Sequence, residues 1–222
     1  MIASLTDLFS GVGSTFLFGI QGFVSFARYG VQWKQVIDQM YAVGVRSLTT
    51  TVTTGLFVGA ILALQLDLQL KDFGAEAFLG GLSASVTIRN VGPVLIAFIL
   101  SGKVGAYTSA ELGTMQVTDQ VNAIRCLGAD PIRYLVVPRL VAVVVTSFFL
   151  LIIGLVTAIA GGAWIASAQL GVNATSYVRN IPVIVTWWSV GTGVVKSLIF
   201  GSIIAVVACY RGYNAKGGAA GV

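Results

Sequence analysis

Polar and apolar positions are not mixed evenly along this chain. Uncharged apolar runs cover Ser47 to Leu66 and Leu140 to Ala168, long enough as helices to cross about 30 Å of hydrocarbon, which takes roughly 20 residues. Two further runs, Asn90 to Ala110 and Trp187 to Tyr210, have the same length but contain Lys103 and Lys196. The pattern predicts four membrane-spanning helices. Before them, Phe16, Ile20, Phe23 and Ala27 recur at helical spacing and are followed by Arg28, Gln32 and Lys34, which predicts a helix lying in the interface. An apolar leader without fixed structure is the alternative. Two outer stretches, Ala77 to Ile88 and Val172 to Val185, are apolar but too short to span, and are expected to lie on the outer surface or dip back into the bilayer.

Composition agrees with this reading. Hydrophobic residues make up 56% and charged residues 9% of the chain, with a mean hydropathy of +0.91, too little polar surface to cover a soluble core. The net charge of +5 does not point to nucleic acid, because the basic residues flank spans and form no patch with interleaved aromatics. They follow a topology rule instead. With a cytoplasmic N-terminus, Arg28, Lys34, Arg46, Arg125, Arg133, Arg139, Arg211 and Lys216 fall inside, and only Lys71, Arg89 and Arg179 fall outside. The first 46 residues lack a basic leader region and a small-residue cleavage site, so no signal peptide is expected. Cys126 and Cys209 both fall inside, as free thiols.

No linker or repeat divides the chain. The expected organisation is an N-terminal interfacial region, 1–46, and a transmembrane domain, 47–222, in an all-α membrane protein. Gly55 and Gly59 form a GxxxG pair, and Gly154, Ala158 and Gly162 line up one turn apart. Such faces let helices approach closely, within the subunit or between copies. Leu62, Leu66, Leu70 and Phe73 make an apolar stripe that runs past Asp67 toward the aqueous side. Two readings fit it: a surface for a lipid leaving the membrane, or packing on Ala77 to Ile88.

Between the second and third spans lies a charged loop that forms helix. Thr118 is placed to cap Asp119 to Leu127, Asp119 complements the helix dipole, and Gly128 supplies a left-handed stop. Asp130 then caps a second start with Pro131 at the first helical position, and a kink is expected at Pro138. Two readings fit: a rigid helix across the mouth of two spans that passes a push from a cytoplasmic partner into the membrane, or a generic interhelical loop.

Gly102, Gly105, Ala110, Glu111, Gly113, Met115, Thr118, Asp119 and Gln120 stand in the places of a pattern G-R-x-G-x-x-x-x-A-E-[LI]-G-x-M-x-x-T-[ED]-Q. The segment resembles the signature of the MlaE/YrbE permeases, membrane subunits of ABC systems that move lipids between bacterial membranes. More weakly, the resemblance runs from Gln39 to Val222. It implies a coupling helix seated on a cytoplasmic ABC ATPase, with Glu111, Met115, Thr118, Asp119, Gln120, Arg125 and Asp130 in the contact. An interfacial charge without a task is the other reading of Glu111. The resemblance also implies a second permease copy as homodimer partner, a periplasmic MCE-domain protein, hexameric in the family, a STAS-domain accessory subunit, a phospholipid substrate and residence in the inner membrane. ATP and magnesium would be bound by the ATPase, and this chain would hold no cofactor. A lipid site is implied at Leu62, Leu66, Leu70, Phe73, Arg89, Asn90 and Lys196.

Three departures qualify the resemblance. Lys103 replaces the arginine, so a bidentate contact is not expected there. Asn90 replaces glutamate in R-E-L-G-P, which frees Arg89 to meet a phosphate. Lys196 then reads either as an interfacial cation or as a second head-group ligand. Relatives also continue beyond the motif matched by Gly217, Gly218, Gly221 and Val222 into one more span, so five are expected in the family and four here.

Gly193 to Ser197 lacks the glycine of a phosphate loop. No histidine is present, and no metal-spaced cysteine pair or nucleophile with a base, which argues against a catalytic or metal site. Two alternatives to a lipid permease remain: an ABC importer permease for a small solute, and a membrane scaffold that anchors a periplasmic lipid-binding partner without transport.

Overall fold

A computed structural model describes residues 2–215, with side chains described for 10–215; the expectations for Lys216, Gly217, Gly218, Gly221 and Val222 lie outside the described residues. The described residues are helical, with no strand. In order they are α1 (Ile2–Tyr29), α2 (Trp33–Met40), α3 (Arg46–Lys71), α4 (Leu79–Val86), α5 (Gly92–Val117), α6 (Gln120–Cys126), α7 (Val137–Gln169), α8 (Ala174–Arg179), α9 (Ile181–Ile184) and α10 (Trp187–Tyr213). Four helical stretches are long and apolar enough to cross a membrane: Trp33–Lys71, Glu76–Val117, Ile132–Gln169 and Trp187–Tyr213. Phe57, Phe98, Trp164 and Ile203 stand exposed on them. Apolar surface on that scale is a liability in water but is the required complement of lipid tails.

Three of these stretches contain a widened π-helical turn, Tyr41–Val45, Thr87–Val91 and Ile132–Val136, and the last two end one residue before a Gly-Pro or Val-Pro step. Proline has no N–H to donate and its ring crowds the carbonyl four residues back. The chain absorbs both problems by widening. Gly92 N–H reaches back to the Thr87 carbonyl and Val137 N–H to the Ile132 carbonyl. Ala77 to Ile88 is therefore not a separate surface segment, because this turn carries it as helix into α5. Val172 to Val185 does stay short, as α8 and α9.

The chain forms two compact units. The first comprises Met1–Val45, Leu100–Thr146 and Gly201–Val222; the second comprises Arg46–Ile99 and Ser147–Phe200.

The core of the first unit gathers Phe18, Leu112, Val121, Leu135, Val136 and Cys209. Phe18 meets the Tyr210 ring edge-on at 5.7 Å and the Tyr213 ring at 5.6 Å, which pins α1 to the end of α10. At Gly212 the backbone comes so close to Leu112 and Ser109 that a Cβ would lie 2.8 Å from each.

The second unit is built on small residues. The buried positions of α3 are Ser47, Thr51, Gly55, Gly59, Ala63 and Asp67, one every four residues along a single stripe. A Cβ at Gly59 would land on the Ala158 carbonyl, and one at Gly161 on the Leu56 carbonyl. The small-residue faces of α3 and α7 are thus used within the subunit, backbone against backbone. Beyond them, Leu79, Ala166 and Tyr177 form a core that also takes in Leu66 and Leu70.

Candidate functional site

The charged loop folds much as its residue types dictate, with one correction. Thr118 is not the cap: its hydroxyl donates back to the Thr114 carbonyl at 2.8 Å. Asp119 takes the cap position of α6 in the left-handed region, φ 58°, where aspartate is among the few tolerated side chains. Its carboxylate accepts from the Asn122 amide at 2.8 Å. Gly128 closes the helix at φ +76°. Asp130 then accepts from the Ile132 N–H at 3.0 Å, which caps the next start as expected.

What holds α6 in place was not visible in the sequence. Arg139 is only 5% exposed, and its guanidinium meets the Glu111 carboxylate at 2.7 Å. It also donates to the Leu135 carbonyl at 2.8 Å, so the buried cation has a counter-ion and a backbone acceptor. This pair ties α5 to the start of α7, one on each side of the loop. A second tie runs from α6 itself, where Arg125 donates to the Tyr213 hydroxyl at 2.7 Å. Arg133 lies over the Tyr29 ring at 4.8 Å and holds the end of α1. Val121 is fully buried beneath α6. The opposite face of α6 is open: Gln120, Ala123 and Leu127 are exposed, Leu127 by 85%. Met115 is partly buried against the core of this unit and contributes packing beside Arg139.

The residues expected on the outer side separate into two groups. Leu66 and Leu70 pack on Leu79, Ala166 and Tyr177, so that part of the stripe serves the fold. Leu62 is half-buried, and Phe73 is 83% exposed. Asp67 is buried and holds Lys71 at 2.7 Å. Tyr177 ties α8 to α4 through a 2.9 Å bond to the Ser83 hydroxyl. Burial pushes its own hydroxyl above the ordinary phenolic range, and the bond to Ser83 works weakly against that.

Lys196 is placed by the proline effect. Pro93 cannot donate to the Arg89 carbonyl, and the Lys196 ammonium takes that freed acceptor at 2.7 Å. It also donates to the Asn90 side chain at 3.1 Å. Lys196 and Asn90 are therefore brought together, while the Arg89 side chain is exposed and makes no ion pair or hydrogen bond among the described residues.

Comparison with known proteins gives this geometry a context. The family model described as permease MlaE matches residues 36–222. A probable ABC transporter permease protein of Rickettsia felis is 36% identical over 211 residues, 95% of this chain and 82% of its own length. The Haemophilus influenzae intermembrane phospholipid transport system permease protein MlaE is 32% identical over 180 residues, 81% of this chain and 69% of the relative. The chloroplastic Arabidopsis thaliana protein trigalactosyldiacylglycerol 1 is 32% identical over 192 residues, 86% of this chain and 55% of the relative.

Proposed function

The chain belongs to the MlaE permease family, and from that premise we propose that it moves phospholipid between the inner membrane and a periplasmic MCE-type carrier. It is a multi-pass ABC transporter permease subunit. In the proposed assembly two copies pair, the N-terminus is cytoplasmic, and an ABC ATPase binds ATP and magnesium and supplies the work. The MCE-domain carrier, a hexamer, and a STAS-domain subunit complete it.

The observation that carries the reading is the mounting of α6. Its inner face is buried, its sides are tied through Arg125 to Tyr213 and through Arg139 to Glu111, and its outer face presents Gln120, Ala123 and Leu127. A helix held that rigidly transmits a displacement instead of absorbing it. Glu111, Met115 and Asp130 support the mount, and Thr118, Asp119, Gln120 and Arg125 border the contact.

On the outer side, Phe73 and Leu62 offer apolar surface to acyl chains. Arg89 offers an unengaged guanidinium to a phosphate, with Asn90 and Lys196 beside it, through charge-assisted bonds about twice as strong as neutral ones. Leu66 and Leu70 support this surface from within the core.

The test is reconstitution of the full chain with its ATPase in proteoliposomes. Asp119→Arg together with Arg125→Glu is expected to release the ATPase and abolish ATP-dependent lipid transfer. Arg89→Gln is expected to lower bound anionic lipid and transfer while the ATPase stays attached. Unchanged transfer in both variants overturns the assignment.

A further inference from the structure

A large concavity lies at neither of these sites. It is a groove of about 1240 Å³ bounded by α1, the start of α7 and the end of α10, larger than the roughly 300–1,000 Å³ of pockets that hold drug-sized ligands. Its walls are Phe16 and Phe23 from α1, Leu140 and Val144 from α7, and Ile203 and Val207 from α10. Two glycines of α1 bring these walls together: a Cβ at Gly19 would meet Val206 at 3.1 Å, and one at Gly22 would meet Leu140 at 2.8 Å.

The polar lining is sparse and mostly engaged. Thr15 returns its hydroxyl to the Gly11 carbonyl at 2.8 Å, and Ser202 has a partner of its own. Arg211 is different. It lines the groove, is exposed, and has no ion-pair or hydrogen-bond partner among the described residues. It sits two residues before Tyr213, which Arg125 of the loop helix holds at 2.7 Å. The cation therefore stands at the loop end of a membrane-spanning helix, where a head group meets water, and the apolar walls continue from it along the span.

We propose that this groove binds one membrane lipid with an anionic head group, its phosphate on Arg211 and an acyl chain between α1, α7 and α10. Charge complementarity selects the occupant. The head group supplies an anion for Arg211, and an acyl chain suits the apolar walls. The proposal rests on the membrane placement of the chain, and it adds to the transport reading a lipid site on the loop side of the spans. It makes α1 a lipid-clamping element, with Phe16 and Phe23 as the clamp.

The full chain in phosphatidylcholine nanodiscs tests this, doped with phosphatidylglycerol or phosphatidylcholine that carries a photoreactive group on one acyl chain. Labelled peptides are identified by mass spectrometry without ATP. Phosphatidylglycerol is expected to label residues 16–23 and 203–207 roughly tenfold more than phosphatidylcholine: both present a phosphate, but the choline cation offsets the charge of the second, and a net difference of about 1.4 kcal/mol corresponds to that ratio. Arg211→Gln is expected to equalise the two lipids. Ile203→Trp, which fills the groove from an exposed position, is expected to remove labelling by both, with thermal unfolding of each variant read in parallel. Equal labelling of the wild-type chain by both lipids, or labelling that survives Ile203→Trp, overturns the proposal. Loss of label when the ATPase is added assigns the groove to a protein contact and overturns it too. Because no ATP is present, these failures leave lipid transport untouched, and failure of transport leaves the labelling result standing.

Discussion

Of the two units, the one that carries the loop and the one that carries the residues expected outside lean on different joints. Each has some of both kinds: Gly212 closes on Ser109 in the first, and Lys196 reaches the Arg89 carbonyl in the second. Around α6 the fixed points are long charged side chains, with Arg139 on Glu111 at 2.7 Å and Arg125 on Tyr213 at 2.7 Å. In the outer unit the fixed points are missing side chains, where Gly59 meets Ala158 and Gly161 meets Leu56 through backbone. The first kind of joint can be rearranged by a partner that competes for a charge. The second cannot slide without a steric clash, so under the proposed function the first suits receiving a push and the second keeping its shape.

Breaking the charged joint is expected to have the largest effect. Arg139→Met removes a buried cation and leaves Glu111 half-buried without its counter-ion, a change that costs about 3–5 kcal/mol in comparable buried pairs. Thermal unfolding in detergent should show it, and Glu111→Gln with Arg139→Met should recover part of the loss. If Arg139→Met alone unfolds with the wild-type chain, the pair is not a structural joint.

The glycine joint comes next. Gly59→Leu places a side chain on the Ala158 carbonyl and is expected to cost about 3 kcal/mol, the upper end of ordinary overpacking, because backbone cannot yield as a side chain can. Gly105→Ala sharpens the contrast. Gly105 belongs to the loop-side signature, yet a Cβ there meets nothing within 4 Å, so this substitution is expected to leave stability unchanged within about 0.5 kcal/mol. A comparable loss in both variants would dissolve the distinction between the units.

Tyr177 probes the outer unit more gently. Tyr177→Phe removes the bond to buried Ser83 and is expected to cost about 1 kcal/mol. It also carries a pH signature. The folded hydroxyl titrates above its ordinary value of 10.0, so its contribution is intact below pH 10 and is lost as pH rises through the higher folded value. The wild-type chain should therefore lose stability faster than Tyr177→Phe above pH 10, and parallel curves would contradict the burial of that hydroxyl.

The sequence disclosed elements more readily than joints. Four spans follow from apolar runs that carry at most one lysine each, and the end of α6 and the next start follow from Gly128 and Asp130, because local chemistry decides both. The Thr118 reading failed because the cap position falls to Asp119 and the Thr118 hydroxyl donates to the Thr114 carbonyl one turn back, where a cap oxygen would accept from a helix N–H. Glu111 was singled out, but Arg139, 28 residues away, was not. No spacing rule connects them. Leu66 and Leu70 showed the same helical period as Leu62 and Phe73, and period alone does not tell which turns of a stripe are covered by α4 and α8. The mate of Lys196 was hidden in a backbone atom, the carbonyl that Pro93 leaves free.

The central claim is that α6 receives the work of an ABC ATPase, and its exposed face tests this most directly. In a full chain carrying Ala123→Arg and Leu127→Glu, neither residue belongs to a joint, so thermal unfolding is expected to match the wild type. Co-purification with the ATPase and ATP-dependent lipid transfer in proteoliposomes should both be lost. A variant that retains the ATPase and transfers lipid at the wild-type rate would contradict the account.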